Sequence, residues 1–89
     1  MADLILEAIR SSIFTRKEAS RIRYLVKKLP MMRKDVEAGS TVPYLPSFAQ
    51  SVNPRLAKAC GVVIDSYPAC DGTRRKIYHF RGVRENEQF

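Results

Sequence analysis

The C-terminal third of the chain constrains the fold most, because it holds two β-prone runs separated by a turn sequence. The runs VVIDSY and RKIYHFR are rich in β-branched and aromatic side chains. Between them lie Pro68 and Asp71-Gly72, and Asp-Gly favours the positive backbone dihedral angles of a tight reversal. The pattern therefore predicts a β-hairpin over residues 62–81.

Three consecutive cations, Arg74, Arg75 and Lys76, follow the turn. A hairpin that is apolar at its base and cationic near its tip suits a polyanion better than a core. The whole chain has 16 Lys and Arg against nine Asp and Glu, a net charge of +7. A polyanionic partner would relieve that self-repulsion through counterion release, although small soluble proteins can be basic without binding anything.

The sequence Thr15-Arg16-Lys17-Glu18 is a capping box, and it predicts a helix over residues 16–29. One apolar stripe at helical spacing should face the core, with Ile22 and Val26 buried. Its members are Ala19, Ile22, Leu25, Val26 and Leu29.

The same helix carries a second stripe, which is cationic. Lys17, Arg21 and Lys28 fall on it together with Tyr24, and Glu18 is the only acidic residue of the helix. The stripe is either a solvated helix face or a set of phosphate contacts, and both interpretations stay open.

The 89 residues form one domain, which we place at residues 1–83, followed by a flexible tail at residues 84–89. A first helix begins near Asp3, and its consecutive Leu4, Ile5 and Leu6 either pack in the core or face a second subunit, so a homodimer is possible. Residues 31–37 are expected to form a further helical turn or two. Two short helices, joined at Asn53-Pro54, are predicted before the hairpin. The fold class is α+β, mostly helical with a C-terminal β-hairpin.

Catalysis and cofactors find no support in the sequence. It has no Walker loop, no Gly-x-Gly-x-x-Gly and no Gly-x-Ser-x-Gly. His79 is the only histidine, and Cys60 and Cys70 do not form a Cys-x-x-Cys, so we predict reduced thiols and no metal. We therefore expect no enzyme and no cofactor. Without a leader or a long apolar run, we also expect a cytoplasmic protein that does not bind membranes.

The segment Cys60-Gly61-Val62-Val63-Ile64, followed by the DGTRRKIYHF run, resembles the end of many bacterial and phage winged helix-turn-helix proteins. There a glycine and a hydrophobic step leave the recognition helix, and a basic wing follows. The resemblance covers about a third of the chain. It implies a small winged-helix domain that binds double-stranded DNA, as a transcriptional regulator or DNA-architectural factor of a bacterium, phage or mobile element.

The resemblance also implies roles for particular side chains. Asn53, Arg55 and Lys58 would face the major groove, where Arg and Asn make bidentate contacts to base edges. The hairpin cations would contact phosphates or a narrow minor groove, where arginine is favoured. Flanking phosphate contacts would come from Lys17, Arg21 and Lys28. Because Pro54 divides the expected helix-turn-helix, the choice of reading helix stays open.

Two other partners are compatible with the same residues. A basic winged fold can dock on an acidic protein surface, as a small inhibitor or adaptor. An RNA binder would instead stack bases on Tyr67, Tyr78 and Phe80, although alternating aromatic residues in a hairpin are usually part of a core.

Overall fold

The structure is a computed structural model that describes residues 2–38, 42, 44–72 and 74–88. Over these residues the chain is an α+β domain, about half helical, with one antiparallel sheet. Its elements, in chain order, are α1 (Ala2–Ala8), α2 (Arg16–Lys28), β1 (Met31–Met32), α3 (Arg33–Ala38), α4 (Leu45–Cys60), β2 (Val62–Pro68) and β3 (Lys76–Gly82).

The predicted hairpin is present, and a third strand joins it. Strands β2 and β3 pair in antiparallel register, with Ile64 opposite Phe80. Strand β1 pairs with the other edge of β3, so the sheet order is β1-β3-β2. The helical turn expected from residue 31 therefore begins two residues later, at Arg33. Two residues are too short to show a period-2 pattern, so the strand could not be predicted from the sequence.

The reversal between β2 and β3 is longer than the tight turn that Asp71-Gly72 indicates. Residues 69–75 connect the strands, and the Ala69 amide donates to the Arg75 carbonyl at 3.1 Å. Gly72 adopts a φ of 81°, the left-handed conformation that glycine takes without strain. Gly72 thus adopts the positive φ that the Asp-Gly sequence predicts, but within a longer loop.

Helix α2 begins as the capping box predicts. The Thr15 hydroxyl accepts from the Glu18 amide at 3.1 Å, and the Glu18 carboxylate accepts from the Thr15 amide at 2.9 Å. Ile22 and Leu25 are fully buried, which confirms the core-facing stripe. Val26 is only half-buried, because it lies at the edge of the core beside a surface cavity.

The expected break at Asn53-Pro54 is wrong, because α4 continues through both residues. Its apolar positions recur at i, i+3, i+4, i+7 and i+11 across the proline, and all are buried in one core. Burial on both sides of Pro54 outweighs the hydrogen bond that proline cannot donate. The buried positions are Leu45, Phe48, Ala49, Val52 and Leu56.

Helix α1 packs on the core through one side only. Ile5 and, just after the helix, Ile9 are buried, whereas Leu4 is 54% exposed. The helix begins at Ala2, and Asp3 lies in its first turn. Among the residues that the structure describes, no helix combines the length and the apolar composition needed to cross a bilayer.

The flexibility expected of residues 84–89 stays a prediction. Phe89 lies outside the described residues. In the structure, the Val83 amide donates to the Gly61 carbonyl at 2.8 Å. The Glu87 carboxylate accepts from the Arg84 amide at 2.6 Å and from Arg81. These bonds hold the start of the segment against the hairpin.

We predict that Ile22→Ala lowers the free energy of unfolding by about 2–5 kcal/mol, because its side chain is fully buried at the centre of the core. Val26→Ala is the matched control and should cost less, since part of its side chain already contacts water. Urea unfolding measures both. Equal losses for the two variants would contradict the placement of Ile22.

Candidate nucleic-acid interface

The loop at residues 69–75 carries the three predicted hairpin cations to the surface. Arg74 and Arg75 lie in the loop, Lys76 is the first residue of β3, and all three are exposed. The end of the hairpin is therefore a cationic part of the surface.

Strand β1 brings two further cations to the base of this loop. Met32 lies opposite Ile77, so the chain leaves β1 and enters α3 beside Lys76. Arg33 therefore follows β1 beside Lys76, and Lys34, the next residue of α3, is exposed. The sequence alone predicts neither as a site residue, because their position depends on the β1–β3 pairing.

An aromatic ring holds Arg33 in place next to the start of α4. Its guanidinium lies 5.3 Å from the centroid of the Tyr44 ring, a cation–π contact. Tyr44 precedes α4 and is 48% exposed. This pair extends the cationic surface from the hairpin toward α4.

The outward face of α4 is polar. Gln50 and Lys58 are its longest polar side chains, and Lys58 is exposed as the sequence predicts. Gln50 is not among the residues that the winged-helix resemblance indicates, although the core pattern of the helix places it on the opposite face. The exposed positions on this face are Ser47, Gln50, Ser51, Pro54 and Lys58.

Asn53 is bonded to the sheet. Its amide nitrogen donates to the Ile64 carbonyl at 2.9 Å, and its amide oxygen accepts from the Ile64 amide at 2.8 Å. The side chain thereby satisfies both backbone groups that Ile64 presents at the outer edge of β2. Asn53 fixes α4 against the hairpin, and in this position its amide cannot also pair bidentately with a base.

Arg55 is also engaged within the domain. Its guanidinium donates to both Glu18 oxygens, at 2.8 and 2.6 Å, and to the Ile13 carbonyl at 2.9 Å. It also lies 5.2 Å from the centroid of the Phe14 ring. The residue joins α4, α2 and the loop between α1 and α2, so we assign it a positioning role.

The Glu18 carboxylate is stabilised in its charged form by these contacts. The hydrogen bonds from Arg55, and further ones from Thr15, lower the pKa of Glu18 from 4.5 to about 2 against the opposing effect of burial. The same bond raises the pKa of Arg55. Glu18 is therefore ionised at any physiological pH.

The three predicted cations of α2 share one side of that helix. Lys17 and Lys28 are exposed, and Arg21 is half-buried with its guanidinium 5.9 Å from the centroid of the Phe48 ring on α4. Lys28 lies 6.0 Å from the Tyr24 ring centroid. This side of α2 thus lies next to α4, as a flanking phosphate contact requires.

A second ion-pair network lies on the hairpin. Arg81 donates to Asp65 at 2.6 Å and to both oxygens of Glu87. Burial raises the pKa of Asp65, but the bonds from Arg81 and the Ser66 amide outweigh it and lower the pKa. The bond from Arg81 lowers the pKa of Glu87 to about 2. All three groups are held charged.

These two networks contain two arginines and three carboxylates. Arg55 and Arg81 pair with Glu18, Asp65 and Glu87. Setting these five residues aside leaves 14 Lys and Arg against six Asp and Glu elsewhere in the chain. The excess of positive charge therefore lies outside the two networks.

The remaining candidate groups have mainly packing roles. His79 contacts Tyr67 edge-to-face, with ring centroids 4.8 Å apart, beside an open cavity of about 300 Å³. Tyr78 and Phe80 pack against the core. Among the described residues, His, Cys, Asp and Glu form no cluster of three or more that suits a metal ion.

Comparison with known proteins returned no match: no family model, no curated protein and no solved structure is similar to this chain.

We predict that Glu18→Gln destabilises the protein at neutral pH and has little effect near pH 2. Because the pKa of Glu18 falls from 4.5 to about 2 on folding, its stabilisation is complete above pH 4.5 and is lost as the pH falls through about 2. Urea unfolding of both proteins across this range measures the difference. Glu85→Gln, at an exposed position, is the control and should show none; a pH-independent Glu18 effect would contradict the ion pair.

Proposed function

We propose that this chain is a winged-helix protein that binds double-stranded DNA. The proposal is supported by the order α2, β1, α3, α4, β2, β3 with the short strand β1 beside β3, which is the order expected of a winged helix. The observation that carries the proposal is the cationic hairpin end, with Arg74, Arg75 and Lys76 exposed next to the helix that precedes it.

In this proposal α4 enters the major groove with its polar face. Gln50 is the base-reading candidate, because a glutamine amide pairs bidentately with adenine. Lys58 lies on the same face and can bond guanine or a phosphate. The resemblance alone would assign Asn53 and Arg55 to base contacts. In this proposal they instead hold α4 against β2 and α2. Their side chains are committed to Ile64 and Glu18.

The cations around α4 position the domain on the duplex. The hairpin cations contact phosphates or the minor groove, while Arg33 and Lys34 contact the backbone at the base of the hairpin. Lys17, Arg21 and Lys28 contact it on the α2 side. Phosphate contacts of this kind set register and affinity and carry no sequence information.

The activity is occupancy of a site, with no chemical step and no cofactor. A domain of 89 residues bound through one helix and one hairpin represses or activates a promoter, or bends DNA for recombination. Its setting is the cytoplasm of a bacterium, including one that carries a phage or a mobile element. That setting rests on the likeness to winged regulators, which is an analogy at the level of the fold.

We predict that changing Arg74, Arg75 and Lys76 to Ala weakens binding to every duplex. The slope of log affinity against log salt should flatten by about 0.9 for each phosphate that the variant no longer neutralises. Fluorescence anisotropy with random duplex DNA at several salt concentrations measures both effects. Changing the exposed Arg10 and Arg84 to Ala is the control for non-specific charge loss.

Failure of the unmodified protein to bind duplex DNA even at low salt would overturn the proposed function. The cationic hairpin would then fit an acidic protein surface better. If the control variant weakens binding as much per charge as the hairpin variant, net charge and not the hairpin governs affinity.

We predict that Gln50→Ala costs about 1–3 kcal/mol on a preferred sequence and little on random duplexes, because it removes a base contact. The preferred sequence comes from selection on a randomised duplex library. Asn53→Ala is the matched control from the same helix. It should lower the unfolding midpoint, since it leaves two Ile64 backbone groups unbonded, and should preserve the sequence preference. The reverse result would assign base reading to Asn53.

A further inference from the structure

A second line of cations runs along α2, apart from Lys17, Arg21 and Lys28. We call it the outer ridge, and it consists of Arg16, Arg23 and Lys27 with Ser20 between them. All four residues are exposed. Their spacing of i, i+4, i+7 and i+11 places them on one side of the helix.

The contacts of α2 show which way the outer ridge points. Arg21 lies against Phe48 of α4, and the Tyr24 hydroxyl donates to the Val36 carbonyl of α3 at 3.4 Å. Val26, on the other side of the helix, lines the cavity beside α1 and the hairpin. At 3.6 residues per turn, the centre of the outer ridge is about 110° around the axis from the centre of the Lys17 side. The ridge therefore faces solvent, away from α4.

Within α2 itself, no acidic group neutralises the outer ridge. Glu18 is the only carboxylate of the helix, and it is bonded to Arg55 and Thr15. In the part of the chain that the structure describes, neither Arg16, Arg23 nor Lys27 forms an ion pair.

The length of the ridge suits a nucleic-acid backbone. From residue 16 to residue 27 an α-helix rises about 16 Å, over which one strand of a duplex carries about five phosphates. An anionic membrane is a poorer match, since a membrane-surface helix inserts an apolar face and the apolar face of α2 is buried in the core.

We propose that the outer ridge binds the phosphates of a second duplex, so that one copy of this protein bridges two DNA segments. The inference rests on the proposed function, because the first duplex occupies the α4 and hairpin surface. The ridge lies about 110° around α2 from the side that this duplex would contact, so a straight duplex held there does not lie along it. Bridging therefore needs no contact between copies of the protein.

The test compares two variants of α2 that lose the same charge on different sides. The ridge variant is R16Q/R23Q/K27Q, and the matched variant is K17Q/R21Q/K28Q. One biotinylated duplex is held on beads, and the protein-dependent recovery of a second, fluorescent duplex is measured. Anisotropy with a single duplex reports the first site alone, and thermal unfolding checks that each variant is folded.

We expect the ridge variant to lower recovery of the second duplex about tenfold or more, with single-duplex affinity changed less than about twofold. The matched variant should weaken single-duplex binding. Sedimentation at saturation should give two short duplexes per chain for the unmodified protein and one for the ridge variant.

Three results would overturn the inference. The first is bridging by the ridge variant at the level of the unmodified protein, which would assign bridging to association between copies. The second is one duplex per chain at saturation. The third is ridge-dependent binding to phosphatidylserine vesicles without recovery of a second duplex. Failure of single-duplex binding would instead overturn the proposed function itself, and anisotropy separates that outcome from the others.

Discussion

The ion pair between Glu18 and Arg55 is the interaction that joins α2 to α4. The Glu18 carboxylate closes the capping box at the start of α2 and, with the same oxygens, holds the guanidinium of Arg55 on α4. Loss of the carboxylate would leave a backbone amide at a helix N-terminus and a half-exposed guanidinium without their acceptor. One side chain thus caps the start of α2 and links it to the middle of α4.

The same carboxylate shapes the electrostatics of the surface. Because Glu18 is bonded to α4, it does not neutralise the cations along α2. On the hairpin, Arg81 likewise pairs with two carboxylates, those of Asp65 and Glu87. Three of the nine acidic residues are thus bonded to two arginines within the fold.

Asn53 connects α4 to the hairpin, the two parts of the candidate interface that carry Gln50 and the loop cations. Its two bonds to Ile64 tie the middle of α4 to β2, the first strand of the hairpin. The bonds also satisfy the outer edge of the sheet at Ile64, where an open strand would otherwise be a site for pairing with another chain. A side chain that the sequence suggests for DNA contact thereby acts on the geometry of the interface.

Local patterns in the sequence predict the parts of this fold that local physics decides. The capping box at Thr15, the burial of Ile22 and the hairpin follow from short-range rules and are present in the structure. The continuity of α4 through Pro54 and the pairing of Met31 and Met32 with β3 depend on tertiary packing, and local propensity predicts neither.

The same distinction holds for the candidate site. Exposed cations such as Lys58 and Arg74 are predicted directly from the sequence, because charged residues stay at the surface. Which polar residues of α4 are free depends on partners far along the chain, 11 residues away for Asn53 and 37 for Arg55. Gln50 could have been found by taking the face opposite the apolar stripe, whereas Arg33 required the β1 pairing.

Charge segregation of this kind links binding to stability. Repulsion among the cations of α2 and the hairpin loop opposes the folded state, because folding brings them closer together than in an extended chain. A polyanion that binds only the folded protein removes that repulsion, and it adds stability in proportion to the logarithm of its concentration relative to the dissociation constant. The ion pairs of Arg55 and Arg81 act in the opposite sense and hold the helices and the hairpin together without any ligand. The domain is thus stabilised from within by these ion pairs, and an anionic partner would relieve the repulsion among its exposed cations.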